Sequence, residues 1–374
     1  MAAFPNTESL VGRMSLKPSA PLHVLVVDDS AVVREVMSAV LSQEHGLNVS
    51  TAADPLIAMI KMARQRPDVI VLDLEMPRMS GLAFLRKIMS ENPIPVVVCS
   101  AHVGDGAVLG LQALEEGALD LVAKPNIGVR EFLYESAFVV IDAIRAAAKS
   151  NMSLRRPVRA PAPPTPGADA LLPPRAMLAP PPGGERIVAI GASTGGTEAL
   201  RFILEAMPEN APGVVVVQHM PEGFTEAFAK RLNKSCKIHV KEAVQDDAIV
   251  NGRALIAPGN RHTVVRRSAT AYYAEVIDGP LVSRHRPSVD VLFRSVARAA
   301  GPRAVGVILT GMGSDGARGL LEMKRAGALT IAQDEQTCVV FGMSKEAIEC
   351  GAVCTIASLP QIPAIILGAH HWRL

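Results

Sequence analysis

Short apolar runs recur along this chain, and each one stops at polar or small residues. Residues 22–27 form such a run and end in Asp28-Asp29-Ser30. Residues 68–72 end in Asp73, residues 95–99 in Ser100, and residues 119–123 in Lys124-Pro125. Helix-compatible segments lie between them. One reaches about residue 43, with Ser30 as its N-cap, and another covers residues 81–90. Strands alternating with helices predict a parallel sheet with helices on both faces.

The same rhythm returns later. Ile187 to Ile190 runs into Gly191-Ala192-Ser193-Thr194-Gly195-Gly196. Residues 213–217 end in Gln218-His219-Met220-Pro221, and residues 254–257 precede Pro258-Gly259-Asn260. Residues 304–309 end in Thr310-Gly311-Met312-Gly313-Ser314-Asp315-Gly316, and residues 328–332 precede Gln333-Asp334-Glu335. Helical patterns cover about 197–207, 225–233, 289–300 and 316–326. They predict a second, mainly parallel sheet covered on both faces. Between the halves, residues 149–185 carry ten or so prolines among Ala, Gly and Arg, a composition that reads as an extended tether. The expected division is a flexible leader at 1–20, a first domain at 21–148, a linker at 149–185 and a second domain at 186–374. The fold class is α/β, with two doubly wound parallel-sheet domains.

Composition narrows the function classes. The chain has 374 residues, 49% of them hydrophobic and only 3% aromatic, so its cores pack with aliphatic side chains. A net charge of +2 argues against an electrostatically driven nucleic-acid binder. The five cysteines show no C-x-x-C spacing, and a reducing compartment is expected. No apolar stretch is long enough for a membrane span, and the first residues lack a signal-peptide core. A cytoplasmic protein without membrane insertion follows as the expectation.

In doubly wound sheets the site lies beyond the carboxyl ends of the strands. Asp28, Asp29, Asp73, Ser100 and Lys124 all occupy that edge in the first half. Clustered carboxylates repel one another unless a hard cation neutralises them, and Mg²⁺ suits a set that keeps room for a phosphoryl group. Lys124 and Ser100 then contact phosphoryl oxygens. A plainer reading makes the acids helix caps and turn residues.

In the second half, Ser193, His219 and Asp315 each follow a buried strand. Ser193 sits within G-x-S-x-G, where glycines permit a sharp turn and the hydroxyl stands exposed. Acyl transfer needs a hydroxyl, an imidazole to take its proton and a carboxylate to fix the tautomer. A glycine-rich turn with Ser193 or Thr194 as a cap is the bland alternative. His239, His262 and His285 compete for the base, and Asp290 and Asp334 for the acid. Residues 311–316 also match G-x-G-x-x-G, with Asp334 after the next strand, the outline of a dinucleotide site. Against that reading, Asp315 puts a carboxylate where pyrophosphate must bind. A non-catalytic adaptor is a further alternative. The Arg284-His285-Arg286 stretch suits either an acidic partner surface or a loop-holding role.

Two resemblances then join these readings. Residues 22 to about 145 resemble a response-regulator receiver domain, through VVDDS (26–30), VLDLEMPRMSG (71–81), VCSA (98–101) and VAKP (122–125). The resemblance implies that Asp73 accepts a phosphoryl group from a histidine kinase. It implies that Asp28, Asp29, Asp73 and the backbone carbonyl of Glu75 hold Mg²⁺, that Ser100 and Lys124 read the phosphorylated state, and that the Lys124–Pro125 bond is cis. Leu121 departs from the pattern, standing where many receivers carry a switch aromatic.

Residues 186 to about 360 resemble the catalytic domain of the chemotaxis protein-glutamate methylesterase (CheB) family. The resemblance rests on IGASTGGTEAL (190–200), VVQHMPEGFTEAFAKRLN (216–233), RHRPSVDVLF (284–293), GVILTGMGSDGARG (306–319) and IAQDEQTCVVFGM (331–343). It implies a triad of Ser193, His219 and Asp315, an oxyanion hole from the main chain of Thr194 and Met312, and no cofactor in the esterase step. The implied reactions are hydrolysis of glutamyl methyl esters on chemoreceptors, releasing methanol, and deamidation of receptor glutamines. A monomer controlled by phosphorylation is expected. Its fold is expected to differ from that of the α/β-hydrolases, because the triad follows the chain order Ser, His, Asp.

Overall fold

The computed structural model describes residues 20–77, 79–100, 105–124, 130–152, 186–268 and 271–368. The leader, most of the proline-rich linker, the Lys124–Pro125 bond and the last residues lie outside them.

The first unit alternates strand and helix throughout. Its strands are β1 (Leu22–Val27), β2 (Leu47–Ala52), β3 (Val69–Asp73), β4 (Val96–Ser100) and β5 (Asp120–Ala123). Its helices are α1 (Ala31–Ser42), α2 (Pro55–Arg64), α3 (Gly81–Glu91), α4 (Asp105–Glu115) and α5 (Arg130–Ala148). The sheet order is β2-β1-β3-β4-β5 and every pairing is parallel. Local capping starts the helices: Ser30, Asp54 and Ser80 accept from the amides of Val33, Ile57 and Ala83. The edge strand β2 escaped the apolar-run reading because its sequence, LNVSTA, is mixed and only partly buried.

The second unit holds β6 (Ile187–Ala192), α6 (Gly196–Glu205), β7 (Gly213–Gln218), α7 (Phe224–Ser235), β8 (His239–Glu242), β9 (Asp247–Ile249), β10 (Arg253–Ile256), β11 (His262–Arg267) and β12 (Tyr272–Ile277). It continues with α8 (Val289–Ala300), β13 (Ala304–Ile308), α9 (Ala317–Arg325), β14 (Leu329–Gln333), α10 (Met343–Glu349), β15 (Thr355–Ala357) and α11 (Ile362–Gly368). Seven strands form one parallel sheet in the order β15-β14-β13-β6-β7-β10-β8. The strands β11, β12 and β9 form a separate antiparallel sheet, an addition to the expected parallel architecture. The burial of β12 alternates residue by residue, as a strand with one solvated face should.

Strand order reverses beside β6, with β7 on one side and β13 on the other. That reversal opens a crevice at the carboxyl edge, where loops diverge to opposite faces. Ser193 follows β6, His219 follows β7 and Asp315 lies beyond β13, so all three border this crevice. Among the described residues, no helix is long and apolar enough to cross a membrane.

Candidate active site

At the carboxyl edge of the first sheet, Asp28, Asp29 and Asp73 bring their carboxylate oxygens within 4.8 Å of one another. Asp28 and Asp73 are buried, whereas Asp29 is exposed. The Lys124 ammonium lies 2.7 Å from Asp73 Oδ2 and 3.2 Å from Asp28 Oδ2. Burial pushes the Asp28 carboxyl up, and the charge of Asp73 adds to this against the Ser30 amide and Lys124. Burial alone depresses Lys124, but Asp73 and Asp28 more than offset it and hold the ammonium above its ordinary value. Three carboxylates facing one ammonium leave an excess of negative charge, which fits a divalent cation bound by oxygen ligands. The Glu75 amide donates to Asp73 Oδ1 at 3.1 Å. Ser100 is buried and donates to the Gly106 carbonyl, so its hydroxyl is engaged with the first turn of α4 rather than with Asp73.

The second sheet builds a different edge. Ser193 leaves β6 on a turn whose next glycine, Gly195, has φ +77°. A Cβ at Gly195 would also lie 2.7 Å from Val339 Cβ, so both conformation and space demand glycine. Thr310 clamps the turn: its carbonyl accepts from the Ser193 amide, and its hydroxyl donates to the Thr194 carbonyl. Gln218 adds a bond from Nε2 to the Ser193 carbonyl at 2.9 Å. Because the Ser193 amide is committed to Thr310, it cannot serve an oxyanion. The amides of Thr194 and Met312 donate to no protein acceptor among the described residues.

Three side chains meet over this turn. His219 Nδ1 lies 3.1 Å from Ser193 Oγ, and its Nε2 lies 2.8 Å from Asp315 Oδ2. Asp315 fixes Nε2 as the protonated nitrogen, which leaves the Nδ1 lone pair facing the serine hydroxyl. All three residues are largely buried.

Asp315 itself is held at the N-terminus of α8. Its Oδ2 accepts from the Val289 amide at 2.7 Å, and its Oδ1 accepts from the Ser288 hydroxyl at 2.8 Å and the Asp290 amide at 3.1 Å. Burial pushes this carboxyl up, but the hydrogen bond from His219, the electrostatic pull of the two neighbouring imidazoles and the Ser288 hydroxyl together hold it below its ordinary value. The amides at the start of α8 supply the dipole end that favours the anion.

The competing residues have other work. Asp290 accepts from the Gly319 amide at 2.7 Å and so ties α8 to α9. Asp334 accepts from the Thr337 amide and hydroxyl, closing a turn rather than facing a nucleotide. His262 is buried, bonding the Pro280 carbonyl and the Ser288 amide, and His239 is exposed at the sheet edge. His285 is different. Its ring lies flat on that of His219, with centroids 3.7 Å apart and planes 6° apart. Burial, then the neighbouring His219, pushes the His285 imidazole down to about 3, so the stacked ring stays neutral.

His285, His219 and Asp315 bring ligand-type atoms within 4.8 Å of one another. Both Asp315 oxygens are already hydrogen-bonded, and parallel rings aim their lone pairs along parallel planes. That geometry suits proton transfer better than chelation.

His285 reaches its place through a strained turn. Ser283 and Arg284 have φ values of +51° and +68°, and Val282 and His285 exchange both backbone hydrogen bonds across them. Two consecutive left-handed residues define a type I′ turn, normally filled by Asn or Gly. Each side chain held there costs on the order of 1–3 kcal/mol, a cost characteristic of functional segments.

The first domain covers this edge. A cleft of about 590 Å³ is lined from one side by Ser193, His219, Arg284 and His285 and from the other by Asp120, Leu121 and Asp142. The Thr194 hydroxyl donates to Asp120, one residue from the candidate nucleophile. Arg231 of α7 pairs with Glu115 of α4. A Cβ at Gly110 would lie 2.9 Å from Leu121 and 3.0 Å from Phe224 of α7, so glycine lets α4 approach closely. Leu121, in the place of the usual aromatic, is buried under this contact.

Comparisons with known proteins agree with both halves of the reading. The family described as CheB methylesterase matches residues 188–366, and the response regulator receiver domain matches residues 24–132. A protein-glutamate methylesterase/protein-glutamine glutaminase of Anaeromyxobacter dehalogenans is 59% identical over 354 residues, spanning 93% of this chain and 96% of the relative. One from Photobacterium profundum is 54% identical over 351 residues, spanning 93% of this chain and 100% of the relative. Among solved structures, the Thermotoga maritima CheB methylesterase catalytic domain is 37% identical, covers 50% of this chain and 99% of its own, and has a TM-score of 0.49.

Proposed function

The chain belongs to the CheB methylesterase family, in the form that carries a receiver domain, and from that premise we propose how its residues perform the reaction. It is a phosphorylation-activated protein-glutamate methylesterase and protein-glutamine glutaminase that acts in chemotaxis. Ser193 is the nucleophile, His219 the general base and Asp315 the residue that orients the base. The observation that carries the assignment is the unbroken relay from Ser193 Oγ through His219 to Asp315, at 3.1 and 2.8 Å.

Ser193 Oγ attacks the ester carbonyl carbon while His219 Nδ1 takes its proton. The carbonyl oxygen gains the electron pair and is stabilised by the Thr194 and Met312 amides. His219 then protonates the departing methoxide, releasing methanol and leaving an acyl-serine. Water adds through the same base and frees the glutamate carboxylate and Ser193. A glutamine side chain follows the same course and releases ammonia.

The receiver spans residues 21–148, the linker 149–185 and the catalytic domain 186–374, after a leader at 1–20. Asp73 accepts the phosphoryl group from a chemotaxis histidine kinase. Asp28, Asp29, Asp73 and the Glu75 carbonyl would hold Mg²⁺, and the bound ion would supply positive charge beside Asp73. Ser100 and Lys124 read the result. The receiver restrains the enzyme by occupying the cleft above Ser193, and phosphorylation favours a state that leaves it. The substrates are chemoreceptors, met by a monomer in the cytoplasm.

The test is methanol release from methylated receptor membranes, with and without a phosphodonor. Ser193→Ala should lower turnover at least about 10⁴-fold. Retained turnover in this variant rejects the assignment.

A further inference from the structure

The turn that carries His285 also carries Arg284, and the two arginines flanking that histidine have different surroundings. Each nitrogen of the Arg286 guanidinium makes a hydrogen bond. It donates to Asn260 Oδ1 from Nε at 3.1 Å and from Nη2 at 2.7 Å, and to the Gly279 carbonyl from Nη1 at 2.6 Å. Arg286 therefore holds the loop. Arg284 makes no side-chain hydrogen bond among the described residues, and its side chain is 68% exposed. It lines the cleft that contains Ser193 and His219, one residue from the ring stacked on the base.

What Arg284 does touch belongs to the other domain. Asp142 of α5 lies 3.9 Å from its Nη1, and its guanidinium sits over the Phe138 ring at 5.6 Å from the centroid. A pair at that distance on an exposed arginine is a weak hold that a competing carboxylate can replace. Burial pushes the half-buried Asp142 carboxyl up, while Arg284 and Arg145 pull it back. The carboxylate thus sits in the cleft at some cost.

A glutamyl methyl ester is neutral and gives a guanidinium no ionic partner. A protein substrate is distinguished by what surrounds the ester, and a planar guanidinium selects carboxylates. We propose that Arg284 is a specificity-determining contact for an acidic side chain beside the scissile glutamyl ester, and that Asp142 occupies its place while the receiver covers the cleft. This inference rests on the esterase reading of Ser193.

The test uses the full-length chain with a small acyl phosphate as phosphodonor. Two synthetic helical peptides each carry one glutamyl methyl ester, flanked by glutamates in one and by glutamines in the other. The unsubstituted enzyme should show a KM about tenfold lower for the acidic peptide. Arg284→Gln should erase that difference by raising the acidic KM about tenfold with a smaller effect on the glutamine-flanked peptide, and circular dichroism should report an intact fold. Arg284→Glu should turn the preference towards a lysine-flanked peptide. Asp142→Asn should raise the rate of the untreated chain on the acidic peptide. Equal KM values in the unsubstituted enzyme, or equal losses on both peptides in Arg284→Gln, overturn the role of Arg284. An unchanged resting rate in Asp142→Asn overturns the role of Asp142. No methanol from either peptide with the unsubstituted enzyme removes the esterase reading itself, a result distinct from all of these.

Discussion

Two buried aspartates stand at the carboxyl edges of two parallel sheets, and they are treated in opposite ways. Asp315 is surrounded by donors: the Val289 and Asp290 amides, the Ser288 hydroxyl and His219 Nε2. Asp73 faces Asp28 and Asp29, with the Lys124 ammonium as its ion-pair partner and the Glu75 amide as its donor. A carboxylate whose lone pairs are all used is a poor nucleophile and a stable anchor. One held among like charges is poised to accept a cation and then a phosphoryl group. On the proposed roles, the same topological position yields an orienting group or a reactive one, and the difference lies in the donors that the neighbouring loops bring.

The sharpest way to break this comparison is at Asp315. Asp315→Asn keeps the side chain's shape but offers an amide to His219 Nε2, which favours the wrong tautomer. Turnover in the full-length enzyme should fall by about 10⁴-fold, with KM little changed. A loss below about tenfold would mean that the donors around Asp315 serve only to dock α8.

At Asp73 the same substitution should act elsewhere. Asp73→Asn should abolish the increase in methanol release produced by a phosphodonor while leaving the unstimulated rate within about twofold, since no step at Ser193 uses this residue. A chelator that removes divalent cations should mimic the variant in the unsubstituted enzyme. Loss of the unstimulated rate in either experiment would show that the two edges are not separable, and the contrast between the aspartates would lose its meaning.

The sequence was most legible where a buried strand hands over to a polar residue. Asp28, Asp73, Ser193, His219 and Asp315 all announce themselves in that way, because a fully apolar run has few other places to stop. The edge strands β2, β8 and β15 lacked the signal, being short or partly exposed. The sheet of β9, β11 and β12 was missed because one solvated face dilutes its apolar pattern. His285 stood among the competing histidines, yet its position in a loop before Pro287 gave no hint that its ring would lie on His219. Its signal was the charged RHR stretch, and the structure divides that stretch between a loop tie at Arg286, a ring support at His285 and a cleft arginine at Arg284. Nor could the sequence show Ser288 and the α8 amides converging on Asp315, since that contact joins segments 25 or more residues apart.

The mildest expected effect lies at His285, and it probes how firmly the base is held. Stacked aromatic rings contribute about 0.5–1.5 kcal/mol beyond their buried area, so His285→Ala should lower kcat by about tenfold or less. His285→Phe restores a flat ring without a titratable nitrogen and should recover most of that loss. The pH profile separates support from chemistry. With the His285 imidazole pushed down to about 3 by burial and by His219, its ring is neutral near pH 7. The decline of kcat on the acid side should then be a one-proton decline and keep its slope in both variants. Activity falls with falling pH because the protonated base cannot take the Ser193 proton. A steeper, two-proton decline in the unsubstituted enzyme that becomes a one-proton decline in His285→Phe would mean that the two rings share the charge. In that case His285 would belong to the proton-transfer apparatus rather than standing beside it.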